Sequence, residues 1–88
     1  MRSYHNNVVW ITGASSGIGE ALAHEFANKG AMLVLAGRNV EKLNALKATL
    51  PNAEVHLVLS LDLTNLSDVA AKVDSVISQF GRVDVLVN

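Results

Sequence analysis

Four short apolar runs alternate along the chain with three longer stretches in which apolar residues return every three or four positions. The first run, Val8–Thr12 (VVWIT), is β-branched and aromatic and reads as a strand. Beyond a small-residue loop, Ile18, Leu22 and Phe26 recur at i, i+4 and i+8 with alanines between them, which predicts a helix packed on that stripe. Asn28-Lys29-Gly30 ends it, Gly30 offering a left-handed cap. Ala31–Ala36 (AMLVLA) is continuously apolar, as expected of a strand buried on both faces. Gly37-Arg38-Asn39 reads as a turn. Asn39 is placed to cap a helix whose stripe is Val40, Leu43, Leu46 and Leu50, and Pro51-Asn52 breaks that helix. A third strand is expected within Glu54–Leu61, centred on Val55–Leu59. Asp62–Asn65 forms a loop with Thr64 and Asn65 as candidate caps. Leu66, Val69, Ala70, Val73, Val76, Ile77 and Phe80 then make the clearest helical face of the chain; Gly81 ends it, and Val83–Val87 is the fourth strand.

The resulting order, βαβαβαβ, calls for a parallel sheet, because right-handed crossovers bring each strand back in the same direction. Two crossovers one way and one return give the strand order 3-2-1-4, a partial doubly wound α/β fold, with two helices on one face and the Leu66–Phe80 helix on the other. The 88 residues suit one domain. Half are hydrophobic and the formal charge is −1, so no basic surface points to nucleic acid or an anionic membrane. Cysteine is absent, which excludes disulfides and thiolate chemistry. The polar stretch 1–7 lacks the apolar core of a signal peptide, and no apolar run reaches bilayer length. A cytoplasmic location is the expectation.

Chemistry concentrates where the strands end. Between the first strand and helix lies Thr12-Gly13-Ala14-Ser15-Ser16-Gly17-Ile18-Gly19. Glycines there let backbone N–H groups approach an anion, and the opening helix turn adds unpaired N–H groups and the positive end of its dipole. Gly13, Gly17 and Gly19 are the cradle; Ser15 and Ser16 have no paired base and suit hydrogen bonds to phosphate or ribose better than nucleophilic attack. A plain connecting loop would not need three glycines so close to a helix start. After the second strand, where dinucleotide sites usually place a carboxylate for the ribose 2′-hydroxyl, stands Arg38. A guanidinium suits a 2′-phosphate, which a carboxylate would repel. Asn39 either shares that phosphate or caps its helix. Asp62, at the carboxyl end of the third strand, is a candidate ligand contact and equally a carboxylate favoured near a helix N-terminus.

Together Thr12–Gly19, Gly37-Arg38, Asp62-Leu63-Thr64 and the closing Asn88 resemble the short-chain dehydrogenase/reductase family, over Val8–Asn88. The resemblance implies a Rossmann-type fold and hydride transfer between a nicotinamide cofactor and a carbonyl or alcohol, with NADP(H) rather than NAD(H) from the Arg38 turn. It implies cofactor contacts from Gly13, Ser15, Ser16, Gly17, Ile18, Gly19, Arg38, Asn39, Asp62, Leu63 and Asn88, with Asp62 on the adenine amine and Asn88 opening the family's N-N-A-G element. It also implies a homo-oligomer for a full-length enzyme.

The family's Tyr-x-x-x-Lys pair is missing: the one tyrosine is Tyr4, followed four residues on by Val8. No residue of this sequence is therefore assigned a catalytic role, and residues 1–88 are expected to be the NADP-binding half of a domain, cut after its fourth strand. The competing class is a non-catalytic nucleotide-binding or interaction module. Metal ligation is not expected. His24-Glu25 opens an H-E-x-x-H pattern, but Asn28 takes the second histidine position, and His5, His24 and His56 read as surface or edge residues. The sequon Asn65-Leu66-Ser67 falls at a helix start and is read as fortuitous.

Overall fold

The computed structural model describes residues 5–62 and 64–87. Its elements are β1 (Val8–Thr12), α1 (Gly17–Asn28), β2 (Met32–Gly37), α2 (Val40–Thr49), a 3₁₀ turn (Ala53–Val55), β3 (Leu57–Ser60), α3 (Leu66–Phe80) and β4 (Val85–Val87). The sheet runs β3-β2-β1-β4, every pair parallel, as the alternation of patterns requires. β1 is interior, Val9 lying between Leu33 of β2 and Val85 of β4.

Alternation along the strands sorts the core into two layers. Val9, Ile11, Leu33 and Leu35 pack with Ala23, Ala27, Leu43 and Leu46 of α1 and α2. Val8, Trp10, Val34, Ala36 and Leu59 pack on the other side with Val76 of α3. The first layer is covered by two helices. The second has one helix, of which only Val76 is fully buried, so most of the expected apolar face of α3 stays open: Leu66 is exposed, and Val73 and Ile77 are partly so.

The packing stripe of α1 differs from the expected one. Ile18 is 79% exposed, and the buried seam is Gly19, Ala23 and Ala27, with Leu22 and Phe26 on its flank. Small residues win because they let the helix approach the sheet closely, and the larger side chains straddle the contact. Val40 is likewise partly exposed, leaving Leu43, Leu46 and Leu50 to anchor α2.

The third strand begins later than its apolar run. Asn52 adopts a left-handed conformation after Pro51, and residues 53–55 coil into the 3₁₀ turn, so pairing starts only at Leu57. His56, expected at the surface or an edge, is 3% exposed. Its Nδ1 accepts the Leu33 N–H of β2 at 3.0 Å, and its Nε2 lies 2.9 Å from Pro51 O. A backbone N–H only donates, so the proton sits on Nε2 and is given to the Pro51 carbonyl. Burial, foremost, pushes the His56 pKa down, helped by nearby Lys47 and opposed by the Pro51 bond and Glu54.

The fourth strand also starts late. Asp84 Oδ2 accepts the Val8 N–H at 2.8 Å and Arg82 Nε at 2.9 Å, while Arg82 Nη2 donates to Asn6 O. A side chain thus takes the first donor of β1, and ladder pairing begins with Val9 and Val85. Asn39 and Asn65 cap α2 and α3 through their side chains; Thr64 does not cap. Among the described residues no helix is long and apolar enough to cross a membrane. Tyr4, Leu63 and Asn88 lie outside the described residues.

Candidate functional site

The loop after β1 is built around two glycines. Gly13 leaves the strand at φ +73°, a backbone region that side chains disfavour, and its N–H donates to Ala36 O of β2 at 2.9 Å. Gly19 sits where a Cβ would run into Gly13 O and come within 2.9 Å of Ala14 Cα. Its lack of a side chain lets α1 begin directly against the end of β1. Ser16 closes the turn as N-cap: its Oγ donates to Gly13 O at 2.8 Å and accepts the Gly19 N–H at 3.2 Å. In this arrangement Ser16 shapes the loop from within, and its neighbour Ser15 faces a cavity. A Cβ on Gly17 or Gly13 would meet nothing within 4 Å, so the mouth of the loop is open space of the kind a bound anion would fill.

The carboxyl ends of β1, β2 and β3 surround a cavity of about 480 Å³. It brings together Gly13, Ser15, Arg38, Asn39 and Asp62, residues spread over fifty positions of sequence. A second cavity of about 330 Å³ holds Gly13, Ser16, Ile18 and Gly19 and reaches Val87 of β4; the two share Thr12 and Gly13. Ile18, misplaced as a core residue by its spacing, lines this second cavity at the helix start. Gly17 lines neither cavity.

Asp62 is organised by a residue that periodicity had suggested only as a cap. Its Oδ1 accepts both the Thr64 N–H at 3.0 Å and the Thr64 hydroxyl at 2.7 Å. These bonds, and more weakly the charge of Arg38, hold the carboxyl below its usual range. Asp62 is therefore an anion at neutral pH, and because both bonds fall on Oδ1, Oδ2 keeps its acceptor capacity. The Asp-x-Thr spacing was the available signal, since an aspartate commonly bonds the backbone two residues on. Thr12 and Leu61 also line the larger cavity, and no sequence motif marks either as a contact.

A parallel sheet in the order 3-2-1-4, with a glycine loop feeding a helix and the cavity outside the strands' carboxyl ends, defines a dinucleotide-binding α/β fold of the Rossmann type. The family model described as short chain dehydrogenase matches residues 7–88. The chain belongs to the short chain dehydrogenase family. It is 46% identical over 86 residues to human dehydrogenase/reductase SDR family member 7, covering 92% of this chain and 25% of that protein. It is 44% identical over 88 residues to an uncharacterized oxidoreductase of Staphylococcus haemolyticus, covering all of this chain and 38% of the other. Among solved structures, a metagenomic short-chain oxidoreductase in complex with NADP superposes with a TM-score of 0.88 at 37% identity, over 97% of this chain and 39% of that one. The 3-ketoacyl-(acyl-carrier-protein) reductase of Brucella melitensis complexed with NADH gives 0.85 at 36% identity, over 96% and 34%. The chain thus spans between a quarter and two-fifths of the length of these proteins.

Proposed function

We propose that residues 1–88 form the cofactor-binding half of an oxidoreductase that moves a hydride between NADP(H) and a carbonyl or alcohol. The observation that carries this reading is the cavity that joins the glycine loop to Arg38, Asn39 and Asp62. Its donors fit a dinucleotide. The open mouth of the loop suits the pyrophosphate, the Arg38 guanidinium suits a ribose 2′-phosphate, and the second acceptor of Asp62 suits the adenine amine. Ser15 hydrogen-bonds the phosphate or ribose, and Asn39 fixes the start of α2 beside Arg38. Leu63 and Asn88 are assigned to the same site on their sequence motifs. The turn after β2 offers a cation where an NAD site offers a carboxylate, which supports NADP(H) over NAD(H). Relatives of both kinds exist, one solved with NADP and one with NADH. When bound, the nicotinamide would supply the hydride. This chain's residues bind and orient the cofactor; none of them supplies the accompanying proton, since Tyr4 has Val8 where a lysine would stand. The whole protein is read as a cytoplasmic homo-oligomer.

A non-catalytic nucleotide-binding module is the second reading, since the donors of the cavity would hold a dinucleotide whether or not hydride transfer follows. Fluorescence titration with NADPH, followed by an oxidation assay with a carbonyl substrate, tests both. The chain is expected to bind NADPH and oxidise none. Binding with turnover restored in a longer protein carrying Tyr-x-x-x-Lys supports the enzyme; binding without turnover there supports the module. Failure of the chain to bind NADPH overturns both readings.

A further inference from the structure

Charge at the cavity is unbalanced for the ligand proposed above. Arg38 contributes one positive charge and Asp62 one negative charge, and the two are close enough for Arg38 to lower the Asp62 pKa. A ribose 2′-phosphate carries about −1.5 to −2 at neutral pH. Arg38 alone, partly offset by Asp62, does not neutralise it.

The geometry points to Lys42 as the second cation, a specificity-determining residue for the 2′-phosphate; this rests on the cofactor reading above. A groove of about 340 Å³ runs between α1 and α2, lined by Ser15, Glu20, Lys42, Leu46 and Thr49. Ser15 also lines the cavity of Arg38 and Asp62, so the groove and the cavity meet at that residue. Lys42 is fixed at its root, because Asn39 Oδ1 accepts its backbone N–H at 3.1 Å. Asn39 and Lys42 are three apart and neighbour one another on the helix surface, one beside Arg38 and the other one turn along. Among the described residues the ion pairs are Lys29–Glu25 and Arg82–Asp84; Lys42 makes none, even with Glu20 in its own groove. A long, flexible ammonium without an ion-pair partner, in the groove that adjoins the cavity at Ser15, can turn toward a dianion seated between Ser15 and Arg38. Glu20, in the same groove, opposes that dianion and sharpens the requirement for Lys42.

Calorimetric titration of the chain with 2′,5′-ADP and with 5′-AMP reads the 2′-phosphate contribution directly, without turnover. Lys42→Gln is expected to weaken 2′,5′-ADP about tenfold while leaving 5′-AMP within about twofold, and Lys42→Arg to retain tight binding. Glu20→Gln is expected to tighten 2′,5′-ADP by about twofold. It supplies an independent arm should Lys42→Gln fail to fold by circular dichroism. An unchanged ratio of the two affinities in Lys42→Gln, or in Glu20→Gln when that is the arm read, overturns the assignment. If the ratio collapses in Arg38→Ala and is unmoved in Lys42→Gln, the cofactor reading stands and this inference alone falls. If the wild-type chain binds neither ligand, the cofactor reading fails and the Lys42 assignment fails with it.

Discussion

Acid should unlatch the β2–β3 edge of the sheet through one side chain. His56 accepts the Leu33 N–H and donates to Pro51 O, an arrangement only the neutral ring can make. Protonation would place a second N–H against that of Leu33. The folded-state pKa lies below the ordinary 6.5, chiefly through burial. In the unfolded chain the ring binds its proton near 6.5, whereas in the folded chain it resists until lower pH. The unfolded state therefore holds more protons in that window, and stability falls as pH falls. The contribution of His56 is complete above pH 6.5 and disappears as pH drops through the folded pKa. Removing the ring gives the scale. His56→Leu strands a buried N–H and a part-buried carbonyl, at about 1–3 kcal/mol for the first and about 1 kcal/mol for the second, or about 2–4 kcal/mol together. Urea unfolding of wild type and variant from pH 8 to pH 5 is the assay. The gap between the two should be widest at pH 8 and narrow toward pH 5. A gap that is constant across this range, or smaller than about 0.5 kcal/mol at pH 8, would show that the neutral His56 ring does not bridge Leu33 and Pro51 in solution.

Two further outcomes separate binding from packing. Gly17→Val should abolish NADPH binding with little change in stability, because its side chain enters only open space at the loop mouth; Gly19→Val should cost about 1–3 kcal/mol in a melt, because its Cβ collides with Gly13 O and Ala14. Leu86 is 61% exposed on β4, on the sheet face that α3 leaves open, and β4 ends the sheet. Leu86→Lys should reduce self-association of the chain in sedimentation velocity, with unchanged circular dichroism.

Strand order and helix placement were legible because parallel strands buried on both faces read as apolar runs, and right-handed crossovers leave few topologies. The convergence of the candidate residues was legible for a related reason. In such a sheet the strand ends converge, so Gly13, Arg38 and Asp62 meet once the order is known. What escaped the sequence was side-chain detail that periodicity does not encode. Ile18 fitted the stripe by spacing, yet the seam of α1 went to Gly19, Ala23 and Ala27, because closeness to the sheet outweighs the size of each buried group. His56 is a polar residue inside an apolar run, and nothing in its spacing marks it as buried; its burial depends on the Leu33 N–H, which only the fold brings near. Asp84 was one polar residue in a strand pattern, and its role as acceptor for Val8 depends on β4 docking beside β1. The role of Thr64 is encoded in the Asp-x-Thr spacing itself, which suits a turn as well as a cap.

If the glycine loop holds a dinucleotide and Arg38 selects its 2′-phosphate, as proposed, one ratio of affinities must report it. Dissociation constants for NADP⁺ and NAD⁺ are measured on wild type and on Arg38→Ala under the same low-salt conditions. Wild type should bind NADP⁺ more tightly than NAD⁺, and the variant should lose about 1.5–3 kcal/mol for NADP⁺ with NAD⁺ nearly unmoved. A ratio that favours NAD⁺ in the wild type, or one that Arg38→Ala leaves unchanged, would contradict it.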